Sequence, residues 1–174
     1  DANGNRNMTG YTTGSNNQTT SDGTYNYTYD NEGNLSRRTT IAGGAYEDYA
    51  WDYRNRLTSV TFKTSGGTTT QVVEYTYDAF NRLVARSHDA DGPGAGAAAL
   101  SYYSYDGNQI VLQFNGSQDT NLDHRYLWGP IVDQLLADED VSSLSSPGSM
   151  LWPMGDHLGT PRDLATYNAA TNVT

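Results

Sequence analysis

The sequence predicts an all-β protein built of consecutive antiparallel hairpins, laid side by side as a continuous spiralling sheet. Three observations predict it. An aromatic-x-aromatic-Asp stretch recurs as Tyr27-Thr28-Tyr29-Asp30, Tyr49-Ala50-Trp51-Asp52, Tyr75-Thr76-Tyr77-Asp78 and Tyr103-Ser104-Tyr105-Asp106. A truncated copy, Asp1-Ala2-Asn3-Gly4-Asn5-Arg6, opens the chain, so the aspartates stand at 1, 30, 52, 78 and 106 and recur every 22 to 29 residues. A period in that range marks an array whose units bury their apolar faces on one another. The composition agrees: only 17% of residues are charged, and 14 of 174 are tyrosine. Disorder would need more charge and fewer aromatics.

Each unit reads as one hairpin. The two aromatics lie three and one residues before the Asp, so both rings stand on one face of a strand. The Asp accepts backbone N–H groups in the turn. Three residues later comes Gly4, Gly33, Asn55 or Asn81, residue types that tolerate the positive φ of a short loop with a bulge. A polar residue follows, and then Leu35, Leu57 or Leu83 restarts the strand; Arg6 at the corresponding place makes the first unit atypical. The turns fall near 1–6, 30–35, 52–57, 78–83 and 106–110, the last one shortened. The tyrosines read as core and cross-strand ladders, with a stacking platform for sugar rings or bases as the rival. Arg54, Arg56 and Arg82 are expected beside tyrosines or paired with acids.

Between these units the chain carries turn signals. Thr9 to Thr24 is a polar tract. Gly43-Gly44 turns the chain into the third unit, whose return strand alternates through Leu57, Ser59 or Val60, and Phe62. Ser65-Gly66-Gly67-Thr68 is a hairpin loop, and Asp89 to Gly96 is too rich in Gly and Pro to be ladder. Residues 100–114 are strand, turn and strand, with a hairpin signal at Asn115-Gly116. Asp138-Glu139-Asp140 reads as a solvated turn, and Ser142 to Ser149 as a loop. Leu151-Trp152 resumes a strand, and a single turn of helix is expected at Arg162–Tyr167.

The hairpin with its Tyr-Asp…Gly/Asn-x-Leu pattern resembles the YD repeat of the Rhs family. A second signature agrees: Gly155-Asp156-His157-Leu158-Gly159-Thr160-Pro161-Arg162-Asp163-Leu164 is similar to the Asp-His-Leu-Gly-Thr-Pro-Arg segment of the Rhs-associated core region, and Tyr126-Leu127-Trp128-Gly129-Pro130 to the hairpin just upstream of it. The resemblance covers essentially the whole chain. It divides the chain into hairpin repeats over 1–150 and the start of the core segment over 151–174. Rhs proteins and their relatives, the insecticidal toxin-complex shells and the teneurins, use such a sheet to build a hollow cocoon. The resemblance therefore implies a bacterial, secreted or cell-surface wall segment that encloses or displays a separate C-terminal effector. The Asp-Pro-x-Gly-Leu pattern of the family's self-cleaving region is not in this sequence, and nothing of that activity is carried over.

Composition narrows the function further. A chain of 174 residues is long enough for one domain with a sizeable core. A net charge of −10 argues against binding nucleic acid through its backbone. Cysteine is absent, so no Cys nucleophile or Cys metal site exists, and no apolar run approaches a membrane span. An enzyme is not expected. The best acid–base pair, Asp156-His157, would point to opposite faces of an extended strand, and His88 and His124 lack metal-ligand spacing. No cofactor and no metal is expected; Asp89-x-Asp91-Gly92 and the acids at 138–140 are hard-oxygen donors without an EF-hand pattern. Six sequons, at Asn7, Asn17, Asn26, Asn34, Asn115 and Asn172, fit the N-glycosylation acceptor.

Both ends read as unclosed hairpins, so the partners expected are further repeats of a parent chain or identical copies joined head to tail. A contact of the second kind makes filaments. Alternatives to the shell segment are thus an extracellular filament subunit, glycosylated at those sequons, and a carbohydrate-binding adhesive surface.

Overall fold

The computed structural model describes residues 8–116, 121–141, 145, 147–156 and 160–166. Among them the chain forms β1 (Tyr11–Thr13), β2 (Thr19–Asp22), β3 (Tyr25–Tyr29), β4 (Leu35–Thr40), β5 (Tyr46–Trp51), β6 (Leu57–Lys63), β7 (Thr69–Tyr77), β8 (Leu83–Asp89), β9 (Ala99–Asp106), β10 (Gln109–Asn115), β11 (Leu122–Trp128), β12 (Leu135–Asp140), β13 (Ser149–Gly155) and β14 (Pro161–Thr166), with one 3-10 turn at Ser15–Asn17. Strand order is sequence order. The all-β array of antiparallel hairpins expected from the repeat is what the chain builds. The polar tract of residues 9–24 supplies two of the strands.

Two compact units form, Asp1–Thr76 with Ser87–Ala98, and Tyr77–Arg86 with Ala99–Thr174. In the first, cross-strand partners give the sheet two unlike faces. Tyr49 stands opposite Val60 and Val60 opposite Val73; Tyr27 opposite Arg38, and Arg38 opposite Glu47. This face carries the aromatic pairs. The other carries Thr28, Thr39, Asp48, Ser59 and Thr61. In the second unit Leu122, Ala137 and Val141 are buried.

The sizeable core does not appear. Among the described residues only Val60, Val73, Leu122, Ala137 and Val141 are buried apolar side chains. Among the described residues of each unit, strands pack on their sequence neighbours, and an apolar face has no second layer of these residues against it.

A bulge follows most turns. Trp51 pairs with Leu57 but Ala50 with Ser59, Tyr29 with Leu35 but Thr28 with Arg37, and Trp128 with Leu135 but Leu127 with Ala137. One extra residue on the return strand puts two residues opposite one. That resolves the return strand of the third unit: Leu57 and Val60 share the face of Trp51 and Tyr49, three residues apart rather than two.

Two expectations of local structure are corrected. Asp138-Glu139-Asp140 is not a turn but the end of β12, where Glu139 stands opposite Arg125 and Asp138 opposite Tyr126. The bidentate bonds from Arg125 Nε and Nη2 to Glu139, at 2.9 and 3.0 Å, hold this acidic run in the ladder. The helical turn expected at Arg162–Tyr167 is replaced over its described residues by strand: Pro161–Thr166 is β14, with Leu164 opposite Pro153 and Thr166 opposite Leu151, and Tyr167 lies outside the described residues. Tertiary pairing overrides the local signal there.

Candidate functional site: the Tyr-Asp turns and their aromatic stitches

Three turns share one construction. Asp30, Asp52 and Asp78 each donate their N–H to the carbonyl four residues on, at 2.9, 3.0 and 3.0 Å. The N–H groups of Gly33, Asn55 and Asn81 return to the Asp carbonyl at 3.2, 2.9 and 3.2 Å. Those three residues have φ of 89°, 57° and 67°, the left-handed region where Gly and Asn cost least. One carboxylate oxygen of each Asp then accepts two further turn N–H groups: Glu32 and Asn34 on Asp30, Arg54 and Arg56 on Asp52, Phe80 and Arg82 on Asp78. The second oxygen takes a side chain from the fourth residue after the Asp: Asn34 Nδ2 at 3.1 Å, Arg56 Nε at 2.8 Å and Arg82 Nε at 2.7 Å. The polar residue before each Leu is thus the clamp on the turn. Arg82 also lies over Phe80 and Tyr105, and Arg54 over Tyr53.

Partial desolvation raises the carboxyl pKa of all three aspartates. Hydrogen bonds outweigh it and leave each below its ordinary value: from Asn34 at Asp30, from Arg56 at Asp52, and from the N–H and guanidinium of Arg82 at Asp78. A carboxyl depressed in the folded state stabilises the fold fully above its unfolded pKa, ordinarily 3.8 for Asp. That stability is lost as pH falls through the lower folded value. The fold should therefore hold down to the ordinary carboxyl range and weaken below it. Circular dichroism against pH checks this, and Asp52→Asn should flatten the acid limb; a transition centred well above pH 3.8 would contradict it.

Substituting Asp78→Ala leaves the N–H groups of Phe80 and Arg82 without their acceptor. Limited proteolysis should then cut faster at Ala79–Asn81. Unchanged cleavage would mean that the turn does not depend on the carboxylate.

The other expected turn residues are placed differently. Asp106 ends β9 opposite Gln109, and the hairpin turns on two residues, with Gly107 at φ 58°. A two-residue turn leaves no room for the five-residue loop, so Asp106 is an exposed strand end. Asp156 does not lie in an extended strand. It follows the end of β13, donating to Thr160 O at 3.0 Å, accepting from Thr160 N–H at 3.1 Å and holding Arg162 Nε at 2.8 Å. Asp1, Gly4, His157 and Gly159 lie outside the described residues, as do Asn7 and Asn172.

Two equivalents escape a search for Asp. Thr64 builds the same loop with its hydroxyl accepting from Thr68 N–H at 3.2 Å, and Gly67 takes φ 85°. In the turn from Gly129 to Gln134, a Cβ built on Gly129 would lie 2.1 Å from Gln134 Oε1. The Gln side chain fills the volume that an Asp at 129 would occupy, reaching in from the far end of the turn.

The aromatic that precedes each turn has a function that period-two reasoning misses. Its polar tip donates to the main chain at the start of the preceding return strand. Tyr29 Oη reaches Thr19 O at 2.7 Å, Trp51 Nε1 reaches Leu35 O at 2.8 Å, Tyr105 Oη reaches Leu83 O at 2.7 Å and Trp128 Nε1 reaches Ile110 O at 2.6 Å. Each ring stitches one hairpin to the one before it. The signal in the sequence is that only Tyr or Trp, the aromatics with a donor, stand at these positions. Tyr77, at the equivalent place before Asp78, ends β7.

Other tyrosine hydroxyls are engaged by acids. Tyr27 donates to Asp22 at 2.7 Å, and Tyr49 to Glu47, which also grips Arg38. Burial, and then the neighbouring carboxylate, push both phenols to about 12. A cleft of about 320 Å³ is lined by Tyr11, Thr19, Asp22, Tyr27, Tyr29 and Leu35. Asp22 in it already accepts from Tyr27 and from the N–H groups of Thr24 and Tyr25, so its hydrogen bonds go to the fold. Asp91 likewise receives the Gly96 N–H at 3.0 Å. Among the described residues no group of three His, Asp or Glu is arranged to hold a metal ion.

Of the described sequon residues, Asn17 is exposed in the 3-10 turn and Asn26 is exposed in β3. Asn34 Nδ2 donates to Asp30 and, at 2.9 Å, to Asn55 Oδ1 of the next turn. Asn115 Nδ2 donates to Asp123 at 2.7 Å.

Repeated Asp-led turns, bulged return strands and aromatic stitches define a β-hairpin repeat protein. Residues 51–93, which hold the turns at Asp52 and Asp78, match the family model of the RHS Repeat. That stretch is similar to the repeat of this family, in line with the resemblance carried by the Tyr-Asp hairpins. No curated protein matches the chain.

Proposed function

We propose that this RHS-repeat segment is a wall piece of a hollow shell, working at or beyond the cell surface, that encloses or displays an effector supplied by a separate C-terminal segment. The observation that carries the reading is the unlike pair of faces in the first unit. An aromatic face without a second layer calls for cover, and a curved wall around a cargo supplies it. The site's chemistry supports mechanical work, since its carboxylates, hydroxyls and guanidinium groups are spent on turns and stitches. Further repeats of a parent chain are the expected neighbours. Electron microscopy of the protein isolated from its source is the test. Closed, hollow particles are expected; long fibres with a regular rise would replace the shell by a filament of identical copies.

Glycan attachment belongs to the same proposal, and the hydrogen bonds rank the sequons. Asn26, exposed in β3, is the described acceptor expected to carry sugar, whereas Asn34 is expected bare because its amide bridges two turns. Mass spectrometry of the native protein checks this, and a glycan on Asn34 would overturn the ranking.

A further inference from the structure

Four described dipeptides place glycine after Asp or Asn: Asp22-Gly23, Asp91-Gly92, Asp106-Gly107 and Asn115-Gly116. In such a pair the glycine nitrogen has no side chain to shield it from the carbonyl carbon of the side chain before it. Ring closure between the two needs a side chain that is not held, an N–H that is not donated and room for the backbone to turn. Three of the pairs fail. The Asp22 carboxylate accepts from Thr24, Tyr25 and Tyr27, and Gly23 donates to Ser21 Oγ at 3.2 Å. Asp91 holds the Gly96 N–H, and a Cβ on Gly92 would lie 3.1 Å from Thr69 O. Asn115 Nδ2 donates to Asp123, and the Gly116 N–H donates to Leu100 O at 3.0 Å. Asp106-Gly107 meets every condition. Asp106, Gly107 and Asn108 are exposed. Among the described residues, the Asp106 carboxylate and the Gly107 N–H have no hydrogen-bond partner. A Cβ on Gly107 would meet nothing within 4 Å. The pair sits at the tip of a two-residue hairpin, where opening costs least.

We propose that Asp106-Gly107 is a site of spontaneous main-chain isomerisation, whose product is a substrate for methyl transfer to isoaspartate. The Gly107 nitrogen attacks Asp106 Cγ. The new N–C bond closes a succinimide ring, and the Cγ hydroxyl leaves with the amide proton as water. Water then adds at the former main-chain carbonyl of Asp106 and breaks its bond to the nitrogen. The chain now runs through Cβ and Cγ, one carbon longer, and the freed α-carboxylate is the methyl acceptor. One water is lost and one regained, so the step needs no other reactant. The consequence reaches a second turn. Gly107 O accepts Arg82 Nη1 at 2.6 Å, and Arg82 is the clamp on Asp78. A longer main chain at 106 carries Gly107 O away from Arg82 and loosens that clamp. The inference is independent of what the wall encloses.

The test ages the full chain in warm, neutral, heavy-oxygen water. Isoaspartate is then read by methyl transfer from labelled S-adenosylmethionine with an isoaspartyl methyltransferase, and each site is located by peptide mapping. Methyl acceptance and one heavy oxygen should accumulate in the peptide that holds Asp106, ahead of those holding Asp22, Asp91 and Asn115. Asp106→Glu keeps the charge but must close a larger ring, and should lose both signals there. Limited proteolysis at Ala79–Asn81 should quicken as the wild-type protein ages and stay constant in Asp106→Glu. No isoaspartate at Asp106, or its earlier appearance at Asp22 or Asp91, overturns the proposal. Equal quickening at Ala79–Asn81 in both proteins overturns the coupling to Arg82.

Discussion

Truncating Trp51→Ala should destabilise the first unit by about 2–3 kcal/mol, less than for a fully buried large aromatic because the ring is only half-buried. Three losses combine. The indole packs on the face it shares with Tyr49, Leu57 and Val60, so its removal leaves the return strand of its own hairpin less covered. Its N–H no longer reaches Leu35 O, which frees the preceding hairpin from this one. Trp51 also borders, with Asp30, Asn34 and Asn55, the cleft where the turns at Asp30 and Asp52 are linked. The melting temperature should fall by roughly 5–10 °C. Trp51→Phe separates the terms: it keeps most of the ring and removes the donor, and should cost about 1 kcal/mol. Equal losses in the two variants would make the hydrogen bond the whole effect. No loss in Trp51→Phe would reduce the stitch to packing.

Replacing Gly148→Ala should cost about 3 kcal/mol through overpacking. A Cβ there would stand 1.9 Å from Asp140 O and 2.4 Å from Val141 Cγ1. The first is backbone and the second belongs to a side chain only 5% exposed, so neither yields without moving strand. The Gly148 N–H also donates to Glu139 Oε1 at 2.7 Å, on the carboxylate that grips Arg125. Displacement of Gly148 would therefore loosen β12 from both neighbours. Hydrogen exchange should accelerate in β12 and β13 and stay unchanged in β3–β6. Gly107→Ala is the control: its Cβ would meet nothing within 4 Å, and the cost is that of φ 58° alone, about 1 kcal/mol. If Gly148→Ala were no worse than Gly107→Ala, the close approach would not matter.

The repeat itself was legible because hairpin turns are local. An Asp followed three residues later by Gly33, Asn55 or Asn81 names the acceptor and the positive-φ position together, and both lie within one short loop. Alternating aromatics name the strand. For Asp106 the same reasoning fails, since the loop there is two residues long and the Asp merely ends its strand. It also passed over Thr64 and Gln134, where other side chains fill the place of the Asp.

The class of fold, the order of hairpins and the chemistry of the Asp-led turns are therefore readable from the amino acids alone, because these depend on residues a few positions apart. Tertiary structure decided the rest. Bulges shift the return strands, so that Leu57 and Val60 share a face which strict alternation would divide between two. The acids at 138–140 are ladder because the strand opposite, 14 residues away at Arg125 and Glu139, pairs with them and Arg125 grips Glu139. The stitches from Tyr29, Trp51, Tyr105 and Trp128 join residues whose separation varies with each connecting loop. Only the folded register brings a ring donor to a carbonyl of the hairpin before it, and no sequence period encodes that meeting.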